Sequence, residues 1–354
     1  MRLIPECRMP NPECLMPTTP APPFQTIAII TGGDLVGDGL LKLPFLRALR
    51  RAFPEAAIHY IAEGKPTAFA GPLRPYSADL IDHAYEVQNW PQPGTPGIPS
   101  SFDLIIDTRG DGRKAREAKK VPHKLFLASA KRFLFSERRP SLFSRKPPHL
   151  TDRLLRFVKL AAGYLPASAG ALPIPEDLLE KARRILPEGK IYVGLAPGCS
   201  TPARQWPLEC FIELAKAQIA KARVPVFILG PMEADWHEAL RAQIPSAKFP
   251  LQDFAAWGVR ELALAHSFAL GRFLALLVAN DSGPGHIFAA AGCPVVSLFG
   301  PTKPEKASPR SPGGAAIRAR DFGSAKIEAI PLKTVDNAVD KLLSTMGSKA
   351  ANRQ

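Results

Sequence analysis

The chain of 354 residues exceeds the size of one ordinary domain core, and with 46% hydrophobic and 22% charged residues it reads as a soluble globular protein, which excludes the disordered and fibrous classes. No apolar run reaches the roughly 18 residues of a membrane span, and five cysteines at scattered spacing, Cys7, Cys14, Cys199, Cys210 and Cys293, exclude a disulfide framework and point to a reducing compartment. The net charge of +14 is concentrated, since residues 109–159 hold 16 Lys and Arg against 4 Asp and Glu, and such clustering favours an acidic partner: phosphorylated lipid, a membrane surface or nucleic acid.

Residues 1–24 are rich in proline, lack the apolar segment of a secretory signal and read as a flexible tail, with Cys7 and Cys14 away from zinc spacing. FQTIAIIT (24–31) reads as a strand and LLKLPFLRALRRAF (40–53) as a helix, with Leu43, Leu46, Leu49 and Phe53 at helical spacing. AAIHYIA (56–62) and FDLIIDT (102–108) are further strands, the Pro-rich loop NWPQPGTPGIPSS standing between them. Alternation of strand and helix predicts a parallel sheet covered by helices over residues 25–170. This half closes with a basic helix over 152–165.

Residues 171–190 read as a Pro/Gly linker. The rhythm then restarts over 191–330 with IYVGLAPG (191–198), a helix from Pro207 to about Lys221, VPVFILG (224–230), LALLVAN (274–280) and PVVSLFG (294–300). A last helix within residues 331–354 is expected to pack back on the N-terminal domain and tail. The whole is an α/β chain of two doubly wound domains, with a cleft expected between the carboxyl ends of their sheets.

The turn LVGDGLLKLP (35–44) sets Asp38 between Gly37 and Gly39 where a strand passes into a helix. Such a turn ordinarily cradles an anion, because the first helical N–H groups lack partners. A carboxylate there repels phosphate, so Asp38 either caps the helix or serves chemistry that needs a base. NDSGPGHIFAAAG (280–292) is the opposite case: Asn280 and Ser282 suit a helix cap, Gly283 and Gly285 permit close approach, and the N–H groups of residues 282–286 suit a diphosphate. Asp281 suits a hydroxyl or ribose contact. In APGCSTPARQWP (196–207), Ser200, Thr201 and Arg204 offer donors to a phosphate, and Glu233 in LGPMEAD suits sugar hydroxyls.

In this order, GDGLLKLPFLRALRRAFP, GLAPGCSTPARQWPLECF, FILGPMEADWHEA and NDSGPGHIFAAAGCPVVSLFGPT, the motifs resemble glycosyltransferase family 9, the ADP-heptose:lipopolysaccharide heptosyltransferases, over residues 25–345. The resemblance implies a GT-B fold of two Rossmann-like domains facing a central cleft, the C-terminal one holding the nucleotide-sugar donor and the N-terminal one the acceptor. It implies Asp38 as the general base. Ser200, Thr201, Arg204 (often Lys in the family), Glu233, Asp281, Ser282, Gly283, Pro284, Gly285 and His286 are implied at the donor, and Gly37, Gly39, Arg109, Arg113 and Lys114 at the acceptor. Lys303 in GPTKP departs from the family's usual acidic residue.

The implied function is inverting transfer of a heptose from ADP-heptose to the inner core of lipopolysaccharide, on Kdo-lipid A or a heptosylated acceptor. Neither a cofactor nor a metal is expected, as no His/Asp/Glu cluster stands at ligand spacing. A cytoplasmic enzyme, peripheral at the anionic inner face of the membrane, is implied, with no nucleic-acid partner. The rival readings are a nucleotide-sugar epimerase on the same scaffold and a basic nucleic-acid-binding protein; the basic stretch carries no stacked aromatic motif or zinc finger.

Overall fold

A computed structural model describes residues 24–90, 96–141 and 143–351. The expected tail, with Cys7 and Cys14, therefore lies outside the described residues except for Phe24, as does part of the Pro-rich loop. The chain divides between Gly170 and Ala171 into two compact units.

The N-terminal unit is built on five parallel strands, β1 (Thr26–Thr31), β2 (Ala57–Glu63), β3 (His83–Val87), β4 (Phe102–Asp107) and β5 (His123–Ala128), in the order β3-β2-β1-β4-β5. Helices α1 (Val36–Ala52), α2 (Gly112–Ala118) and α3 (Leu150–Ala162) follow β1, β4 and β5. Both faces of β1 are covered, so Ile27, Ala28, Ile29 and Ile30 are all fully buried, the reason a central parallel strand reads as an unbroken apolar run. Helix α1 buries Leu40, Leu43, Leu46 and Leu49 and packs on α3. It carries Pro44 in its interior. One turn earlier in space, Thr151 of α3 donates its hydroxyl to the Leu41 carbonyl at 2.8 Å, tying the two helices together.

On the edge of this sheet His59 stacks on its cross-strand neighbour His83, with ring centroids 4.7 Å apart, and burial together with His83 lowers its pKa to about 4. The unfolded chain, at the ordinary value of 6.5, thus binds the extra proton first as pH falls. His59 therefore contributes stability that is fully present above the unfolded value and is lost on descent toward the folded one, on the order of 2 kcal/mol for a group only partly shielded. Urea titrations of His59→Gln across that window are expected to show a shallower acid loss than wild type; equal slopes contradict it.

The C-terminal unit repeats the plan with β6 (Tyr192–Ala196), β7 (Val224–Phe227), β8 (Leu276–Asn280), β9 (Val295–Phe299) and β10 (Ala315–Arg318), all parallel in the order β10-β9-β8-β6-β7. Its helices are α4 (Glu176–Ile185), α5 (Leu208–Ala220), α6 (His237–Gln243), α7 (Phe254–Trp257), α8 (Leu264–Gly271), α9 (Gly283–Ala290), α10 (Pro304–Ala307) and α11 (Leu332–Ala351).

Two expectations change here. Residues 171–190, read as linker, contain α4, whose Ala182, with Leu186 just after it, enters the core beside Tyr192, Val226 and Trp257. The prolines before α4 mask a short amphipathic helix that begins with Pro175 as its cap. Helix α11, expected to return to the N-terminal domain, buries Val335, Ala338, Val339 and Leu342 in the C-terminal unit's own core, against α5 and the β8–β9 face. Lys221 and Arg223 fix it there through Asp336 and Asp340, at 2.5 to 2.8 Å.

Candidate active site

In a doubly wound sheet the strand order reverses once, and the carboxyl ends of the two strands at that point open a crevice that the covering helices leave exposed. In the N-terminal unit these strands are β1 and β4. A pocket of about 460 Å³ lies there, lined by Gly32, Gly33 and Asp34 after β1, Asp38 and Lys42 of α1, and Thr108, Arg109, Asp111 and Lys114 around the start of α2. Leu150 and Leu154 of α3 give it an apolar wall.

Asp38 is the third residue of α1, exposed in this pocket, and the helix takes Leu35 as its N-cap with no side-chain capping bond. The capping role is therefore not the one the structure gives it. Gly37 lies in the same first turn. Gly39, which the resemblance put at the acceptor, is buried away from the pocket lining: a Cβ there would stand 2.5 Å from a Leu73 methyl, so glycine is required for packing.

Behind Asp38 lies a buried polar cluster. Lys42, one helical turn on, pairs with Asp34, and its ammonium also donates to Thr31 Oγ1 at 2.8 Å and to Tyr60 Oη at 3.2 Å. The second carboxylate oxygen of Asp34 accepts from Tyr60 Oη at 2.6 Å and Thr67 Oγ1 at 3.0 Å. The Asp34 side chain is 0% and that of Lys42 9% exposed, so each charge has the partners that burial demands. Burial and the neighbouring Asp34 carboxylate push the Tyr60 hydroxyl well above its ordinary pKa, so it stays a donor.

Arg109 departs from its expected role. Its guanidinium, 3% exposed, grips both oxygens of Asp107 at 2.9 and 2.7 Å, pairs with Glu63, and donates to the Lys114 carbonyl at 3.1 Å. Burial lowers the Arg109 pKa, but the bonds to Asp107 and Glu63 outweigh it and the net shift is upward. Its nitrogens are thus committed within the protein. The cation that remains accessible is Lys114, 41% exposed and 3.0 Å from Glu63. Burial raises the Glu63 pKa, but Lys114 and Arg109 outweigh it and hold the carboxyl below its ordinary range. Arg113 is exposed and stands outside the pocket lining. Asp111 caps α2 by accepting from the N–H groups of Arg113 at 2.7 Å and Lys114 at 3.0 Å, and so sets where Lys114 emerges.

In the C-terminal unit the reversal lies between β6 and β8. The segment after β6 carries Ser200, Thr201 and Arg204, and the turn after β8 carries residues 281–286. The structure brings the two together. Arg204 donates to Thr201 Oγ1 at 2.8 Å, to the Asp281 carbonyl at 3.2 Å, and lies 3.4 Å from the Asp281 carboxylate. Asn280, expected as a helix cap, instead joins the segments, accepting from Trp206 N–H at 3.0 Å and donating to the Pro197 carbonyl at 2.7 Å.

Ser282 is the N-cap of α9 without a side-chain capping bond, Pro284 follows in the first turn, and His286 is half-buried. Gly283 is open on its Cβ side, while a Cβ on Gly285 would meet the Pro309 ring at 3.3 Å. Gly283 and Gly285 stand in the first turn of α9, where the helix supplies its own N–H groups with no carbonyl partner. Glu233 lies over the same end of the sheet: its carboxylate accepts from Gly230 N–H at 3.0 Å, and a Cβ on Gly198 would overlap it. Among the described residues no three His, Cys, Asp or Glu side chains gather as a metal site.

The residues that sequence reasoning passed over are Asp34, Lys42 and Asp111. Lys42 carried a signal, since at four residues from Asp38 it must share its face of α1.

The model of glycosyltransferase family 9 (heptosyltransferase) matches residues 100–329. A curated relative, lipooligosaccharide heptosyltransferase 2 of Haemophilus influenzae, is 29% identical over 140 residues, 39% of each chain. The aligned stretches cover less than two fifths of the length of this and of the matching Salmonella typhimurium and Escherichia coli relatives. The fold is similar to that of a family 9 glycosyltransferase from Veillonella parvula, with a TM-score of 0.67 at 21% identity over 91% of this chain and 98% of that one. It is also similar to that of the E. coli ADP-heptose lipopolysaccharide heptosyltransferase II, with a TM-score of 0.62 at 19% identity over 91% and 100%.

Proposed function

Because the chain belongs to glycosyltransferase family 9 and has its GT-B fold of two Rossmann-like units, we propose that it transfers a heptose from ADP-heptose to the inner core of lipopolysaccharide, on Kdo-lipid A or a heptosylated acceptor. The observation that carries this reading is Asp38, exposed in a pocket at the β1/β4 reversal beside the accessible cation Lys114.

In the proposed reaction the N-terminal pocket takes the acceptor, and Lys114 meets its carboxylate or phosphate. Asp38 takes the proton from the acceptor hydroxyl as that oxygen bonds to the anomeric carbon of the donor. The bond from that carbon to the diphosphate breaks on the opposite face, which inverts the configuration. Arg204 and the first N–H groups of α9 stabilise the departing diphosphate, so the step needs neither a metal nor a cofactor. Glu233 and Asp281 accept from donor hydroxyls. Arg109 and Glu63 act through Lys114, by fixing where it stands.

Arg204→Ala is accordingly expected to weaken ADP binding by about 10- to 100-fold, since a charge-assisted pair with phosphate is lost. Equal affinities by calorimetry contradict that assignment. The function itself is tested by incubating the protein with ADP-heptose, with and without a Kdo-bearing acceptor, and following the anomeric signals by NMR. Transfer with inverted configuration, and an unchanged donor sugar when the acceptor is withheld, are expected. Epimerised donor in the absence of acceptor overturns the reading in favour of an epimerase. On this reading the enzyme works in the cytoplasm, at the anionic inner face of the membrane where such an acceptor is anchored, with no nucleic-acid partner. Among the described residues no helix is long and apolar enough to cross a membrane.

A further inference from the structure

We propose that residues 131–141 and 143–146 belong to a membrane-docking loop that seats Phe143 and Leu134 in the surface of an anionic bilayer at the mouth of the N-terminal pocket. The inference rests on the reading above only in expecting the acceptor to be lipid-anchored. The loop itself is recognised by three observations.

The first is where it begins and ends. A Cβ on Gly112 would stand 3.3 Å from the Phe135 ring and 3.4 Å from the Lys131 side chain, so the start of the loop abuts the first residue of α2, between Asp111 and Lys114 of the pocket lining. Its far end runs to His149, the N-cap of α3, whose Leu150 and Leu154 form the pocket's apolar wall. A loop anchored at two places on one pocket rim borders that pocket.

The second is how it is held. Phe133 packs on Phe157 with ring centroids 5.3 Å apart, and Ser136 Oγ exchanges hydrogen bonds with Ala128 N–H and carbonyl at 2.7 and 2.8 Å. Arg138 donates to the carbonyls of Leu160 and Ala161 at the end of α3, and Arg156 to that of Arg145 at 2.6 Å. Lys131, Arg132 and Phe133 are all left-handed, with φ of 46°, 57° and 66°, a run that residues with a Cβ rarely adopt and that surrounding structure must hold in place. The inner side of the loop is therefore fixed, and what its outer side presents is determined.

The third is what it presents. Phe143 is 97% and Leu134 51% exposed, in a segment with six Lys and Arg (131, 132, 138, 139, 145 and 146) and one acid, Glu137. That acid is turned to the protein, accepting from Phe126 N–H at 2.8 Å and lying 3.2 Å from His123. An exposed aromatic and an exposed aliphatic side chain amid unbalanced cations match the two-signal logic of peripheral membrane binding, in which neither apolar insertion nor charge alone suffices. A nucleic acid also takes cations and a stacked aromatic ring, but it has no use for Leu134 and no reason to border this pocket.

The test is co-sedimentation of the full chain with vesicles of phosphatidylglycerol and phosphatidylcholine, against vesicles of phosphatidylcholine alone. Wild type is expected on the anionic vesicles, with binding that falls as salt is raised. Phe143→Asp and Leu134→Asp are each expected to weaken it about tenfold or more, and Arg145→Glu with Lys146→Glu by roughly 10- to 100-fold. Transfer to a soluble, delipidated acceptor should be unchanged by Phe143→Asp. Vesicle binding that is equal in wild type and Phe143→Asp, or absent in wild type while RNA is bound, overturns the proposal. The vesicle measurement requires no turnover, so a chain that docks through Phe143 yet transfers no sugar would leave this inference standing and remove the functional reading.

Discussion

Asp38→Asn is expected to lower turnover by about 10²–10⁴-fold, the range that follows loss of a general base, with little change in donor affinity. The substitution keeps the side chain's shape and removes its capacity to take a proton. Because Asp38 is exposed in the pocket and makes no capping bond for α1, the folded state has little to lose beyond a favourable charge near the helix start, worth about 0.3–1 kcal/mol. Structural and chemical roles are therefore separable at this position. Near-normal turnover in a folded Asp38→Asn protein contradicts the assignment.

The second large effect is expected at Lys42. Its ammonium is enclosed by Asp34, Thr31 and Tyr60, and removing it in Lys42→Met leaves the fully buried Asp34 carboxylate without its counter-charge. Breaking such a pair costs about 3–5 kcal/mol, whereas replacing both members by apolar side chains is often nearly neutral. A lowered urea midpoint for the N-terminal unit is expected in Lys42→Met, with much of the loss recovered in Lys42→Met combined with Asp34→Leu. A single-variant loss under about 1 kcal/mol would show that the carboxylate is solvated or protonated once Lys42 is gone. The cluster matters to function through position: Lys42 and Asp34 join the segment after β1 to the helix that carries Asp38.

How much of this was legible in the sequence differs from element to element, for physical reasons. Strands β1, β2, β4, β6, β8 and β9 lie within the two sheets, are covered on both faces, and stand out as apolar runs. Strands β3, β5, β7 and β10 are edges, and of these only β7 stood out in the sequence, because its VPVF is apolar throughout and buried over Pro225–Phe227. HAYEV, HKLFLA and AAIR each carry His, Lys, Glu or Arg where one side meets solvent, and the apolar pattern thins below recognition. Helix α4 was hidden by the prolines before it, and α11 was placed on the other unit because an amphipathic stripe reports that a face is buried but not against what.

At the site, the turns that follow the central strands were readable because glycine, proline and small polar residues mark them, and the structure does gather Arg204, Thr201 and Asp281 at one sheet end. Arg109 shows the limit. Its charge and its place after β4 suggest a ligand contact, yet Asp107, two residues earlier, and Glu63 at the end of β2, two strands away across β1, occupy its guanidinium. Charge in a motif does not disclose which carboxylates will face it once the sheet is assembled.

The central claim is tested most directly by mass spectrometry of the lipopolysaccharide core from a strain lacking this gene, complemented either with the wild-type gene or with one encoding Asp38→Asn. The core is expected to be truncated at a heptose, restored in full by the wild-type gene and left truncated by the Asp38→Asn gene. An unaltered core in the deletion strain, or full restoration by Asp38→Asn, would contradict it.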